Sequence, residues 1–105
     1  MKLSELNYTL SSFRAMDPDT AMMLSWLHSF VLVAERDGLS IKEVAHRGSM
    51  TPATAGKALA MLCDVNRHGE RGLGLIVQKE SNTSARITEN FLSTKGKAWL
   101  AKITS

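Results

Sequence analysis

The sequence predicts a mainly helical α+β domain in which two short helices lead into a two-strand antiparallel hairpin and a closing helix. Three observations carry this expectation. Two helix-start signals stand close together, Ser40-Ile41-Lys42-Glu43 and Thr51-Pro52. Leu73, Leu75 and Val77 then alternate with Gly74, Ile76 and Gln78, a strand pattern. Finally, 105 residues with a 44% hydrophobic fraction can build one core and leave little room for a second. Residues 1–105 are therefore read as one domain, with 1–16 as an N-terminal helical arm and 17–105 as its core.

In chain order, Leu3, Leu6, Leu10 and Phe13 recur at helical spacing and predict a short amphipathic helix over residues 3–14. Asp17-Pro18-Asp19 is a second start signal: Asp17 caps, and Pro18 occupies a first-turn position whose missing N–H has no partner anyway. The helix that follows is expected to reach about Arg36 and stop at Asp37-Gly38. It carries two apolar stripes: Met23, Leu27, Phe30, Val31 and Ala34 on one side, Met22, Trp26 and Val33 on the other. Such a helix packs on two sides.

Ser40 to Glu43 is a capping-box pattern, and Ile41, Val44 and Ala45 give its helix an apolar side. Arg47-Gly48-Ser49-Met50 reads as a turn. The next helix is expected from Pro52 to about Asp64, with Ala55, Ala58, Leu59 and Leu62 on its inner face. Its outer face carries Ala53, Thr54, Gly56, Lys57, Ala60 and Met61. Two helices joined by a short glycine-containing turn form a helix-turn-helix pattern. The hairpin is expected over residues 73–92, with a polar tip at Ser81-Asn82-Thr83-Ser84 and a return strand over residues 85 to 92. Ser93 or Thr94 caps the closing helix, whose apolar side holds Trp99, Leu100 and Ile103. A hairpin directly behind a helix-turn-helix makes the whole a winged helix-turn-helix with a two-strand wing.

Charge is unevenly spread. Before Gly38 there are three basic against five acidic residues, and from Gly38 on ten against five, so a slightly acidic front precedes a basic second part within the net charge of +3. Such a field attracts polyanions, although solvated surface accounts for the charges equally well. No apolar run approaches the roughly 18 residues of a membrane span. The N-terminal Met1-Lys2-Leu3-Ser4-Glu5 lacks the apolar stretch of a signal peptide. Cys63 is the only cysteine, which excludes an internal disulfide. The expectation is a cytoplasmic protein without membrane contact.

The residues Leu39-Ser40-Ile41-Lys42-Glu43-Val44-Ala45, Met50-Thr51-Pro52-Ala53-Thr54-Ala55-Gly56-Lys57-Ala58-Leu59, Gly74-Leu75-Ile76-Val77, Arg86 and Leu92-Ser93-Thr94-Lys95-Gly96 stand in the order of a known family. In that order and spacing, over roughly residues 26–100, the chain resembles the MarR-like winged-helix transcription regulators. Its step from residue 64 to 72 is longer than is usual in that family. The resemblance implies a sequence-specific regulator of double-stranded DNA, with the helix after Thr51 in the major groove and the wing on the backbone or minor groove. It also implies a homodimer built through terminal helices, and it leaves a small-molecule inducer open.

The DNA-contact candidates are Lys42, Arg47, Thr51, Ala53, Thr54, Gly56 and Lys57 of the helix-turn-helix, with Lys79, Asn82, Thr83, Ser84 and Arg86 of the wing. Gly56 and Ala53 permit close approach to base edges, and Lys57 can donate to guanine or phosphate. Leu3, Leu6, Leu10, Phe13 and Trp99 form more apolar surface than a small monomer exposes, and are the dimerisation candidates. Cys63 is read as core rather than a redox sensor, because adjacent Asp64 disfavours a thiolate. Cys63, Asp64 and His68 do not complete a four-ligand metal site. No cofactor motif and no nucleophile-base-acid set is present, so an enzyme is not expected. The competing reading is a winged-helix protein-interaction module, or a subunit of a nucleoprotein complex without base-specific readout. It rests on the single long cation of the outer helix face and the small apolar surface of Ala53, Ala60 and Met61.

Overall fold

The computed structural model describes residues 2–16, 24–63, 72–81 and 87–104. Their order is α1 (Leu3–Ala15), α2 (Leu24–Glu35), β1 (Leu39–Ser40), α3 (Ile41–Arg47), α4 (Pro52–Leu62), β2 (Ile76–Glu80), β3 (Thr88–Leu92) and α5 (Thr94–Thr104). The three strands form one antiparallel sheet in the order β1-β3-β2. The expected Asp17-Pro18 helix start, the methionines Met22 and Met23 and, of the expected wing tip, Asn82, Thr83 and Ser84 lie outside the described residues.

The central helix is α2, which packs against α4, α3 and β3. Phe30 and Val33 are fully buried on it, and Trp26, Leu27 and Leu32 nearly so, while Val31, expected on a buried stripe, is exposed. Gly38 ends the segment with a positive φ of 84°, a conformation glycine adopts without a Cβ penalty. Its N–H donates to the Asn90 carbonyl at 3.0 Å. That bond starts a strand the alternation did not predict: Leu39 and Ser40 pair with Asn90 and Glu89 of β3.

The hairpin begins later than the alternation suggests. Residues 73–75 run alongside the end of α4 instead. There the Leu73, Gly74 and Leu75 N–H groups donate to the carbonyls of Met61, Cys63 and Leu62. The physical reason lies in α4, whose last carbonyls have no partner within the helix. The strand proper starts at Ile76, paired with Leu92. The register places Leu39, Asn90 and Gln78 side by side across the three strands, the first two buried and Gln78 exposed at the edge. Asn90 has no exposed surface; its Nδ2 donates to the Leu39 carbonyl and its Oδ1 accepts from Gln78 Nε2, both at 2.9 Å.

At the other side of α2, Trp99 of α5 lies 4.9 Å from the Phe30 ring in an edge-on arrangement and 5.7 Å from Phe13. Its indole N–H donates to Ser12 Oγ at 2.8 Å, so α1 and α5 close over α2. This corrects one expectation. Phe13 and Trp99 are only 3% and 6% exposed and belong to the chain's own core, not to free apolar surface. Helical spacing marks an apolar face without saying what covers it, and here α1 folds back so that Phe13 is covered from within.

Asn90→Ala should destabilise the fold by about 1–3 kcal/mol in urea unfolding, because it strips a buried carbonyl and an amide of their partner. Gln78→Ala, at an exposed position, should lose less. Cys63 is buried where α4 meets the incoming strand, and burial raises its thiol pKa. Its alkylation by iodoacetamide at neutral pH should be slow in the native protein and rise to the free-cysteine rate in denaturant.

Candidate nucleic-acid interface

The helix-turn-helix is set by local hydrogen bonds. Ser40 Oγ accepts from the Glu43 amide at 3.2 Å, while the Glu43 carboxylate accepts from the Ser40 amide at 3.1 Å, closing the capping box expected from the sequence. The Ser40 amide bond is the main reason the Glu43 carboxyl sits below its ordinary pKa. Partial desolvation opposes it, and the Ser40 hydroxyl and the charges of Arg36 and Arg47 assist. In the turn, Ser49 takes a positive φ of 54° and the Met50 N–H returns to the Ala45 carbonyl. Met50 is half-buried against the core, with Ser29 Oγ donating to its sulfur.

Helix α4 starts at Thr51, whose Oγ1 accepts from the Thr54 amide at 3.1 Å, with Pro52 in the first turn. The Thr51 hydroxyl also hydrogen-bonds Thr54 Oγ1 at 3.0 Å, with Thr51 as donor. The two hydroxyls are partners within the cap, and each keeps further hydrogen-bonding capacity. Ala55, Ala58, Leu59 and Leu62 are buried as expected, and Thr51, Ala53, Thr54 and Lys57 face solvent. Gly56 is half-buried, and a Cβ there would meet only Ile41 Cγ2 at an ordinary 3.8 Å. Nothing within the described chain requires a glycine at that position. Ala60 and Met61 are half-buried, and Met61 packs against the core.

Lys42 and Arg47 are exposed on α3. Lys42 lines an open groove of about 270 Å³ with Ser40, Ile41, Ile87 and Thr88, so the first turn of α3 borders the root of the hairpin. Lys79 is exposed on β2 with its ammonium 5.4 Å from the Phe91 ring centroid, a cation–π contact that orders the side chain while leaving its charge in water. Asn82, Thr83, Ser84 and Arg86 lie outside the described residues. The structure adds two cations absent from the predicted set. Lys95 and Lys97 of α5 line one open cleft with Lys79.

Of the dimerisation candidates, Leu3, Leu6 and Leu10 are 85%, 40% and 38% exposed on one side of α1. With Ser4 and Asn7 they border a shallow groove of about 420 Å³. Among the described residues no group of three metal-ligating side chains converges, and no helix is long and apolar enough to cross a membrane. Asp64 and His68 lie outside the described residues.

Neither a protein-family model nor a curated protein sequence matches the chain. Solved structures do. The MepR–DNA complex of S. aureus superposes with a TM-score of 0.71 at 16% identity, over 96% of this chain and 71% of that one. A MarR transcriptional regulator from Methanosarcina mazei gives 0.68 at 14% identity, over 96% and 67%. A MarR-like transcriptional regulator from Thermotoga maritima gives 0.63 at 22% identity, over 99% and 74%. At these identities the likeness is one of fold. Its extent, with the helix-turn-helix and hairpin described above, gives this chain the winged-helix fold that those structures have.

Proposed function

We propose that the chain binds double-stranded DNA as a transcription regulator, with α4 in the major groove and the hairpin on the backbone or minor groove. The observation that carries this reading is the outer face of α4. It is a capped, exposed face of small residues, with a glycine that internal packing does not require and an exposed hydroxyl at Thr54. A mid-helix glycine costs about 1 kcal/mol relative to alanine. Close approach of the helix to base edges supplies a reason to keep it. Lys57 beside it, with Lys42, Arg47 and Lys79 on neighbouring elements, supplies positive charge. That one similar fold was determined as a DNA complex supports the same reading.

The protein-interaction alternative draws on Lys57 being the one long cation of that face. It loses part of its apolar surface, because Met61 packs inward. Base-specific readout would come from Thr51, Thr54, Gly56 and Lys57, and wing contacts from Lys79, Asn82, Thr83, Ser84 and Arg86. We further propose a homodimer through the exposed side of α1, where Leu3, Leu6 and Leu10 need cover. Two-fold closure would match a palindromic site.

Gly56→Ala separates folding from binding. It should raise stability by about 0.5–1 kcal/mol and weaken binding to a selected duplex. Lys57→Ala should cost about 1–3 kcal/mol at one base pair and relax preference there. Unchanged affinity and preference in both variants would remove α4 from the DNA and favour the protein-interaction module. In sedimentation at micromolar concentration the parent should run as a dimer, and Leu6→Glu with Leu10→Glu should shift it to monomer; a monomeric parent refutes the α1 interface.

A further inference from the structure

The cleft between the hairpin and α5 holds about 900 Å³ and is bordered by Lys79 from β2 and by Lys95 and Lys97 from the first turn of α5, with Ser93 and Thr94 beside them. No carboxylate is among its described lining residues. Glu89 stands across the strands from Lys79, but none of the three lysines forms an ion pair among the described residues. Lys95 gives one of its donors to the Leu73 carbonyl at 2.9 Å, which fixes its ammonium at the cleft wall. Lys97 makes no side-chain bond among the described residues.

The position of the two α5 lysines is the informative part. The N-terminal turn of a helix is its positive end, where acidic side chains are favoured and cations disfavoured. The first turn of α5 holds no acidic residue and two lysines. Local helix energetics oppose that arrangement, and a third cation faces it from the strand. An anion in the cleft would offset both repulsions.

We propose that this cleft holds the sugar–phosphate backbone of the bound duplex, making Lys95 and Lys97 phosphate contacts additional to the recognition helix and the wing. The inference rests on the DNA-binding reading above. The choice of backbone over a small anionic metabolite follows from the cleft's form. It is open to solvent and offers no buried polar anchor, whereas a small-ligand site encloses most of its ligand. Lysines also suit phosphates approached from varied directions, being point charges without the planar fork of arginine. The link to the wing is physical, since Lys79 belongs to both surfaces.

The test is a salt titration of binding to a mixed-sequence duplex, read by fluorescence anisotropy, for the full chain and for Lys97→Gln and the Lys95→Gln/Lys97→Gln pair. Each lost phosphate contact should reduce the slope of log K against log salt by about 0.9 per subunit. Preference among duplex sequences should stay as in the parent. Because Lys97 has no internal bond to lose and its charge is unfavourable in a first helical turn, its urea midpoint should hold or rise slightly while binding weakens, which separates binding from folding. Parent slopes in both variants overturn the inference; if Lys57→Ala and Gly56→Ala still weaken binding, the proposed function survives without it. A parent that binds no duplex overturns both. Isothermal titration with inorganic tripolyphosphate provides the other arm. Saturable binding that is lost in the double variant, with the DNA slope unchanged, assigns the cleft to a free polyphosphate and overturns the backbone reading.

Discussion

The arrangement of this domain depends on three residues, 73–75, that belong to neither helix nor strand. Their N–H groups donate to the Met61, Cys63 and Leu62 carbonyls at 2.7–3.2 Å, completing the C-terminal end of α4. Their carbonyls face the opposite way and serve α5: the Leu73 carbonyl takes Lys95 Nζ, that of Gly74 takes the Ser93 hydroxyl, and that of Leu75 takes the Ser93 N–H. The strap is therefore bonded on both sides along its whole length. Gly74 supplies the positive φ of 71° it needs. Gly96 supplies the space, because a side chain there would fall on the Leu75 carbonyl. Each such bond contributes about 1 kcal/mol net, but leaving one unmade inside the protein costs more. The direction of the wing relative to the exposed face of α4 is fixed by that accounting, and any surface that spans the two inherits its geometry.

A second, aromatic junction decides what α1 can do. Phe13, Phe30 and Trp99 meet across three helices, and the indole N–H is satisfied by Ser12. Aromatic pairs in these tilted and edge-on arrangements contribute about 0.5–1.5 kcal/mol beyond their buried area. The helix is thus anchored near its C-terminal end. Thr9, one turn earlier, is also buried, its hydroxyl donating to the Glu5 carbonyl. The leucines at positions 3, 6 and 10 remain outside that anchorage. One helix therefore presents a satisfied face and an unsatisfied one, and a role in association must rest on the second.

What was legible in the sequence follows from the range of the interactions involved. The caps at Ser40 and Thr51 are bonds over three residues, and the burial of Ala55, Ala58, Leu59 and Leu62 follows from the helical period, so both were readable. The start of the hairpin was not. Leu73 and Leu75 alternate as a strand would, yet their partners are helix carbonyls more than ten residues away in sequence. Strand β1 is two residues long and is stapled by Asn90, 51 residues distant, which no local pattern announces. On the interface, exposure of Thr54 and Lys57 was readable because helix α4 was. Lys95 and Lys97 read as ordinary charges of a closing helix until the sheet brought Lys79 to the same cleft. The signal that marks them is local: two cations in a first turn that lacks an acid.

The kind of charge on this surface limits the kind of recognition it can carry. The exposed cations described on α4, the wing strand and the first turn of α5 are all lysines. Lysine neutralises a phosphate well but lacks the planar fork that reads a guanine edge with two parallel bonds. A surface so composed gains affinity mainly by releasing counterions, and that gain is nearly blind to sequence. On the proposed reading, discrimination then rests on Lys57 at its one base pair and otherwise on fit: the Thr54 hydroxyl, the bare backbone at Gly56, and the small flank at Ala53. Such a fit depends on how closely α4 approaches the bases. That approach is set by how firmly the phosphates are held on either side, so the two kinds of contact act in series. Weakening the flanking lysines would lower affinity on every duplex, while adding bulk at position 56 would erode the difference between duplexes.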